Sequence, residues 1–390
     1  MRKVLYIAAK SWASDEATLQ RLPFTLEALR DDGLEIDFVT LHGAPPHALE
    51  RVTRHEVYAP FSKRMRPDRP SLRRTLCHFF LLSKVIHLAS RTRYVAIHGL
   101  DDCGILAWIA GQLTRTLFVH EYHPLEQGTP LGCYRRQLSC MATCLRKWAW
   151  RSAQVVISNH PKVIDDLAKI GRSGRACIIP DIPGILEDVK TPALNLASAR
   201  FKHRSDQRLV LCLCTPAELI RPKQLFASLA RIVQKEPAIL VAIVGTPPDK
   251  IEALRDHVEA AELESNILII EKLPNIEWAA LLSVCEFAIL PAPVTLNLMP
   301  RVLDCFRVKK ALIAVDSPSG RTLLSRQHAV LVGDAADALV RGVVWMLQNP
   351  RRVRDLGIRG WEMLKTDNRT PEAFREALHR CYAYVTSESL

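Results

Sequence analysis

Apolar residues recur along this chain in two ways. Short, nearly continuous runs rich in Val, Ile and Leu alternate with longer stretches whose apolar positions return every three or four residues. The first kind reads as strands buried on both faces, the second as helices lying over them. VLYIAA (4–9) predicts a strand, Glu16–Asp31 a helix closed by Asp-Asp-Gly, and IDFVTL (36–41) the next strand. LCHFFLLSKVIHLA (76–89) predicts a helix with Leu76, Phe79, Phe80, Leu82, Ile86 and Ala89 approximating one face, interrupted by Ser83 and His87. Strands follow at Tyr94–His98, Leu117–His120, Val155–Ser158 and Cys177–Pro180, with helices over Ile105–Leu113 and Tyr134–Trp150. A second series starts at Leu209. Its strands are LVLCLC (209–214), AILVAIVG (238–245), ILII (267–270), Phe287–Leu290, Ala311–Val315 and AVLV (329–332), and its helices cover 224–234, 249–262 and 276–283. This alternation predicts an α/β chain of two doubly wound, Rossmann-like halves. Residues 185–207, poor in long apolar runs, read as the linker.

In open parallel sheets ligands bind beyond the carboxyl ends of the strands, so polar residues just past each apolar run are the candidates. Cys285–Val315 is the clearest unit: a strand, a proline-bounded loop, a helix opening at Pro300 or Arg301, and a second strand. The unpaired N–H groups and partial positive charge of such a helix N-terminus suit a phosphate. Around it fall Thr215, Glu218, Arg221 and Lys223; Gly245 and Thr246; Lys272; and Thr295, Asn297, Arg301 and Asp304. Cations and N–H groups hold a pyrophosphate and a carboxylate accepts from sugar hydroxyls, so this set suits a nucleotide-diphosphate sugar. In the first half, His98 with Asp101 and Asp102, His120, Glu121 and His123 within HEYHPLEQ (120–127), and Asn159 with His160 all follow strands. Such groups suit acid–base work or acceptor binding; each His taken singly is more readily a hydrogen-bonded loop residue, and it is their shared position at strand ends that points to function.

Length and charge sharpen this. At 390 residues the chain exceeds one ordinary core, so two domains are expected. A net charge of +12 points to a polyanionic partner: anionic lipid, nucleotide phosphates or nucleic acid. Residues 51–100 hold eleven Lys or Arg against two acidic residues, six of the eleven between Lys63 and Arg74. A basic segment beside an amphipathic helix (63–89) suits an anionic membrane surface. The alternative is that the apolar face packs on the sheet and the arginines are merely solvated. Nucleic acid is not expected, because the basic residues lack interleaved aromatics. The eleven scattered cysteines read as reduced, buried thiols of a cytoplasmic chain, and Cys140 and Cys144 lack the further ligands a metal site needs. MRKVLYIAAKSW reads as a first strand rather than a signal peptide. No window reaches the ~18 to 20 apolar residues of a membrane-spanning helix, so any membrane contact is expected to be peripheral.

Taken whole, the chain resembles the GT-B-fold retaining glycosyltransferases of the large family 4 type. CEFAILPAPVTLNLMPRVLDCFRVKKALIAVDSPSGRTLL is similar to that family's strand, E-x7-E loop, helix and following strand, and LCLCTPAELIRPKQL to its GR-x-x-x-x-KG donor segment. IHGLDD and FVHEYHPLEQ occupy the places of its two His-bearing strand ends. The resemblance implies two Rossmann-like domains facing a central cleft. Residues 1–190 would be the acceptor-side domain, 191–375 the nucleotide-sugar donor domain, and 376–390 a helix crossing back to the first. It implies that Lys223 binds donor phosphate, that the backbone of Asn297, Leu298 and Met299 meets the pyrophosphate, and that Asp304 contacts the donor ribose. His120 would stand beside the reacting centre with Glu121 next to it, and His98, Asp101 and His123 would face the acceptor. The leaving phosphate would help deprotonate the acceptor, and neither a metal nor another cofactor is implied.

The sequence departs from the pattern at named positions. The first motif Glu is Leu296, the second is shortened to Asp304, and the donor-segment Arg is Glu218, with Arg221 nearby as a replacement cation. The usual Gly-Gly loop after the first strand is replaced by AKSWASDEATLQ. Leu296 cannot accept from a sugar hydroxyl. Two expectations therefore stand side by side. One is a cytoplasmic glycosyltransferase, peripheral at the inner face of a membrane, passing a sugar to a lipid-linked or saccharide acceptor in surface polysaccharide or glycoconjugate synthesis. The other is a non-catalytic subunit of the same fold. A nucleotide-sugar epimerase on this architecture has nothing specific in its favour.

Overall fold

The computed structural model describes residues 2–9, 16–42, 51–60, 72–123, 133–184, 207–214, 222–246, 250–271, 273–294, 298–318 and 320–387. The predicted linker, the basic run before residue 72 and the loop at 215–221 lie outside these residues. The chain divides into two compact units, Met1–Asp181 with Pro371–Leu390, and Ile182–Thr370.

In the first unit the strands β1 (Lys3–Ala8), β2 (Glu35–Leu41), β3 (Val52–Val57), β4 (Ala96–Leu100), β5 (Phe118–Glu121), β6 (Val155–Ser158) and β7 (Ala176–Ile178) form one sheet in the order 3-2-1-4-5-6-7. Every pairing is parallel. The chain steps from β1 out to β3, then returns past β1 to build the other half. Right-handed crossovers therefore put α1 (Glu16–Asp31) on one face and α2 (Leu72–Arg91), α3 (Cys103–Thr114), α4 (Cys133–Ser152) and α5 (Lys162–Ala168) on the other. A single cluster joins Leu5, Ile7 and Ile97 of the sheet to Leu81, Ala107, Trp150 and Leu167 from those four helices.

The face predicted for 76–89 divides. Cys77, Leu81, Val85 and Ala89 are the residues that pack inward, while Leu76, Phe79 and Phe80 are exposed. β3 was not predicted at all. It is an edge strand, VTRHEV, and its partly exposed polar residues hide it from an apolar-run reading.

The second unit repeats the plan with β8 (Arg208–Leu213), β9 (Ile239–Thr246), β10 (Ile267–Glu271), β11 (Phe287–Pro293), β12 (Ala311–Val315) and β13 (Ala329–Val332) in the order 10-9-8-11-12-13. Its helices are α6 (Pro222–Lys235), α7 (Ile251–Ala260), α8 (Asn275–Val284), α9 (Met299–Arg307), α10 (Ala336–Gln348) and α11 (Pro350–Thr366). α6 shows ordinary amphipathicity, burying Leu225, Phe226, Leu229 and Ile232. α9 is different: Met299 through Phe306 are all buried, so this short helix is sunk into the unit rather than laid on it.

The last helix, α12 (Pro371–Ser387), belongs to the first unit and packs on α1. Cys381 on α12 forms a disulfide with Cys177 of β7, 204 residues away. This corrects the expectation that every thiol is reduced. The pairing depends on tertiary packing, which cysteine spacing along the chain does not reveal.

Candidate functional site

Both sheets reverse direction once, between β1 and β4 in the first unit and between β8 and β11 in the second. These are the topological switch points at which an open α/β sheet leaves a crevice. The predicted candidates cluster at the carboxyl ends of the strands around them.

In the first unit everything turns on Glu121, the last residue of β5. Its carboxylate is fully buried and accepts from four side chains. Oε1 takes Arg21 Nε at 2.7 Å and His123 Nε2 at 3.1 Å; Oε2 takes the Tyr6 hydroxyl at 2.9 Å and His98 Nε2 at 3.1 Å. Burial alone would raise its pKa. The bonds from His123 and His98 and the charge of Arg21 outweigh that and hold the carboxyl well below the usual carboxylate range. Arg21 continues the network, reaching the Ile179 carbonyl at 2.9 Å and Asp181 at 3.2 Å, and Asp181 accepts from Asn159 Nδ2 at 2.8 Å.

The three histidines differ in what they have left to offer. His98 stacks on Tyr6 with ring centroids 4.3 Å apart. Its Nε2 is bonded to Glu121, and its Nδ1 lies 2.6 Å from the Tyr382 hydroxyl of α12, so both ring nitrogens are engaged. His120 is likewise closed. Nε2–H donates to the Asp101 carbonyl at 2.7 Å, and Nδ1 accepts from Trp150 Nε1 at 3.0 Å. Burial drives its pKa down to about 4 against the pull of the Asp101 carbonyl, so the ring is neutral. His123 keeps its Nδ1 without a partner among the described residues. So do Arg21 Nη2 and Asn159 Oδ1, and all three belong to the network running through Glu121 and Asp181.

Asp101 is the pin of this arrangement. Its φ of 51° is left-handed, a conformation that Asp tolerates better than most residues. Its amide donates to the Glu121 carbonyl at 2.6 Å, and its Oδ1 accepts the His123 amide at 2.9 Å.

In the second unit β9 ends at Gly245, φ 85°, and Thr246, whose buried hydroxyl has no partner among the described residues. α9 opens after β11 with Leu298 at its N-cap, no side-chain cap, and Pro300 in its first turn. Lys223, second in α6 after β8, is exposed. Asp304 is fully buried, and both its oxygens face protein donors: Oδ1 takes the Gly184 amide at 2.7 Å and Oδ2 takes Trp278 Nε1 at 2.9 Å. Arg301 lies over the Trp278 ring at 4.5 Å and reaches to 3.8 Å from Asp304. In this structure Asp304 ties α9 to α8 and to the segment at Gly184.

Against known proteins, residues 24–181 match the family model described as a glycosyl transferase 4-like domain. That match lies within the first unit. Over the whole chain the fold is shared with sucrose-phosphate synthase from Thermosynechococcus elongatus, at 17% identity and TM-score 0.74 with both chains fully covered. It is shared with Anabaena HepE, solved in complex with UDP and glucose, at 13% identity and TM-score 0.72, covering 98% of this chain and 100% of that one. A UDP-N-acetylglucosamine 2-epimerase has it too, at 12% identity and TM-score 0.63, covering 98% and 95%. No curated protein sequence is matched. The architecture is thus the GT-B fold, as the resemblance implied.

Within the first unit, the predicted His98, Asp101, Glu121 and His123 come together in one network, while His120 lies alongside, joined to it by Asp101. In the second unit Gly245, Met299, Arg301 and Asp304 stand at neighbouring strand ends, with Leu298 buried beside them. Thr215, Arg221, Lys272, Thr295 and Asn297 lie outside the described residues. Sequence reasoning missed Tyr6, Arg21, Trp150, Asp181 and Tyr382. It also missed Gly104, where a Cβ would overlap the His120 ring. The Gly-Leu-Asp-Asp-Cys-Gly spacing at 99–104 was the available signal, since Gly99 too meets backbone where its Cβ would be.

Proposed function

We propose that the chain is a retaining glycosyltransferase. It takes a sugar from a nucleotide-sugar donor and passes it to a lipid-linked or saccharide acceptor in surface polysaccharide or glycoconjugate synthesis, in the cytoplasm at the inner face of a membrane. The observation that carries this reading is the switch point of the second unit. There the uncapped N-terminus of α9, the left-handed Gly245 and the unpartnered Thr246 hydroxyl stand at the ends of β9 and β11, flanking β8. A crevice edged by the first-turn N–H groups of a helix suits a diphosphate. HepE, with the same fold, is solved with UDP and glucose, and residues 24–181 match a glycosyl transferase 4-like family model.

On this reading the amides at the start of α9 and the Lys223 ammonium take up charge as it develops on the leaving diphosphate. In the first unit His123 Nδ1, Arg21 Nη2 and Asn159 Oδ1 meet acceptor hydroxyls, while His98 and His120 hold the frame. Asp304 positions α9 rather than gripping ribose. The reaction so read calls for no metal or cofactor, so turnover should survive chelation.

A mass-spectrometric screen of nucleotide sugars, with and without lipid-linked and oligosaccharide acceptors, tests the reading. The expected result is acceptor-dependent consumption of one donor, weakened on the order of tenfold or more in Lys223→Ala. Tight donor binding by calorimetry with no consumption would favour the non-catalytic subunit, for which Leu296 is the specific observation. Acceptor-independent inversion of the sugar would mean an epimerase.

A further inference from the structure

α2, α3 and α4 lie side by side on one face of the first sheet, and their inward residues share one core. Their outward side is unusual for a water-facing helical layer. On α2, Leu76 is 40% exposed, Phe79 67% and Phe80 37%; on α3, Leu113 is 64% exposed; on α4, Met141 is 56% and Trp148 60% exposed. Phe79 and Phe80 stand edge to face with centroids 6.2 Å apart, side by side at the surface.

The charge on this layer has one sign. α2 carries four Lys or Arg residues and no acid, α4 carries five and no acid, and α3 carries no charge at all. Arg91, Lys147 and Arg151 are exposed, as is Arg115 just past α3. Arg74 and Arg146 are used within the unit, the first paired with Asp102 and the second stacked over Tyr122. Every element of the layer therefore offers exposed apolar groups, and two of the three add cations.

We infer that the α2–α3–α4 face of the first unit is a docking surface for an anionic lipid bilayer. A second copy of this chain is a poor occupant, because the charges carried on α2, α3 and α4 themselves are all positive and two such surfaces repel. An anionic leaflet matches both halves of the surface. Its headgroups attract the Lys and Arg side chains, and its interface accepts Phe and Trp rings at headgroup depth. Leu76, Phe79, Phe80, Leu113, Met141 and Trp148 would enter the interface, with Arg91, Arg115, Lys147 and Arg151 meeting headgroups from the C-terminal ends of the three helices. The sequence placed membrane contact on 63–89, of which 63–71 lies outside the described residues. The docking surface adds α3 and α4 and draws on the outward residues of α2.

Co-sedimentation of the full chain with vesicles tests this, using phosphatidylcholine alone and phosphatidylcholine mixed with phosphatidylglycerol. Wild type should bind the mixed vesicles and be released as salt is raised towards ~1 M, where the Debye length falls to about 3 Å. Phe79→Ser/Trp148→Ser and Lys147→Glu/Arg151→Glu should each lower the bound fraction on the order of tenfold or more, since each lost cation or aromatic anchor is a several-fold change in partitioning. Trp345→Ser, a comparably exposed aromatic in the second unit, should bind as wild type. Unchanged thermal unfolding of the variants shows that the fold is intact. Brominated lipid should quench wild-type fluorescence more than that of Trp148→Phe. Wild type remaining in the supernatant with mixed vesicles overturns the inference, as does equal binding by all variants. So does a wild-type dimer in light scattering that Phe79→Ser/Trp148→Ser dissolves. The surface rests on the membrane location in the proposed function but not on the chemistry: donor turnover without vesicle binding sinks the surface and that location, and vesicle binding without turnover sinks the transferase alone.

Discussion

The two units are built to one plan and use it in opposite ways. In both, the strand order reverses once beside a central strand. At the ends of β1, β4 and β5 the first unit places charged and aromatic side chains that bind mostly one another, with Glu121 fully buried among Tyr6, Arg21, His98 and His123. At the ends of β8, β9 and β11 the second unit places a sunken helix, a left-handed glycine and an exposed lysine, and its buried carboxylate is tied off by Trp278 and the Gly184 amide. Charge closed on itself is a frame, and donors left open are a binding surface. Residues of one chemical type at equivalent strand ends should therefore answer to different assays.

Breaking the frame should have the largest effect. Glu121→Ala leaves the buried Arg21 Nε without its acceptor, with Nη1 still on Asp181 and the Ile179 carbonyl, and removes the acceptor for three other donors, so unfolding in urea should show a loss of about 3–5 kcal/mol. A loss below about 1 kcal/mol would mean that the network is not structural.

Next is the pH response. His120 has a folded pKa of about 4, below the usual His value, because burial disfavours its charged form. Between about 6.5 and 4 the unfolded chain binds a proton that the folded chain refuses, so stability should fall as pH falls through that window and level off below it. The contribution amounts to at most about 3 kcal/mol. His78, also pushed down to about 4 by burial, titrates in the same window. The difference between wild type and His120→Asn, measured by denaturation at several pH values, isolates His120. Parallel curves would show that His120 titrates normally.

The smallest effect on stability belongs to the open side. Lys223 is exposed, so Lys223→Ala should leave unfolding within about 0.5 kcal/mol of wild type while weakening donor binding. A marked loss of stability there would erase the contrast between the two units.

The fold was legible because strands buried on both faces are continuous apolar runs, and nearly every such run became a strand. β3 escaped because an edge strand need not be apolar. The site was legible in its positions and less so in its roles. The rule that polar residues past strands matter located His98, Asp101, Glu121 and His123. It could not tell that Trp150 and the Asp101 carbonyl use both nitrogens of His120, or that Asp304 is spent on Trp278. Those facts depend on residues distant in sequence. Tyr382 was the hardest to foresee, since it meets His98 from 284 positions away.

That distance bears on how the protein is made. Tyr382 caps His98, Phe374 lies 4.9 Å from the Arg21 guanidinium, and Cys381 meets Cys177, so α12 supplies walls of the first unit. During vectorial synthesis the first 181 residues leave the ribosome long before α12 is translated. The second unit, continuous from 182 to 370, has all its parts earlier and can fold while its neighbour waits. The unit that comes first in this sequence is thus completed after the second, and a nascent chain stalled after residue 370 would hold a finished second unit and an unfinished first one.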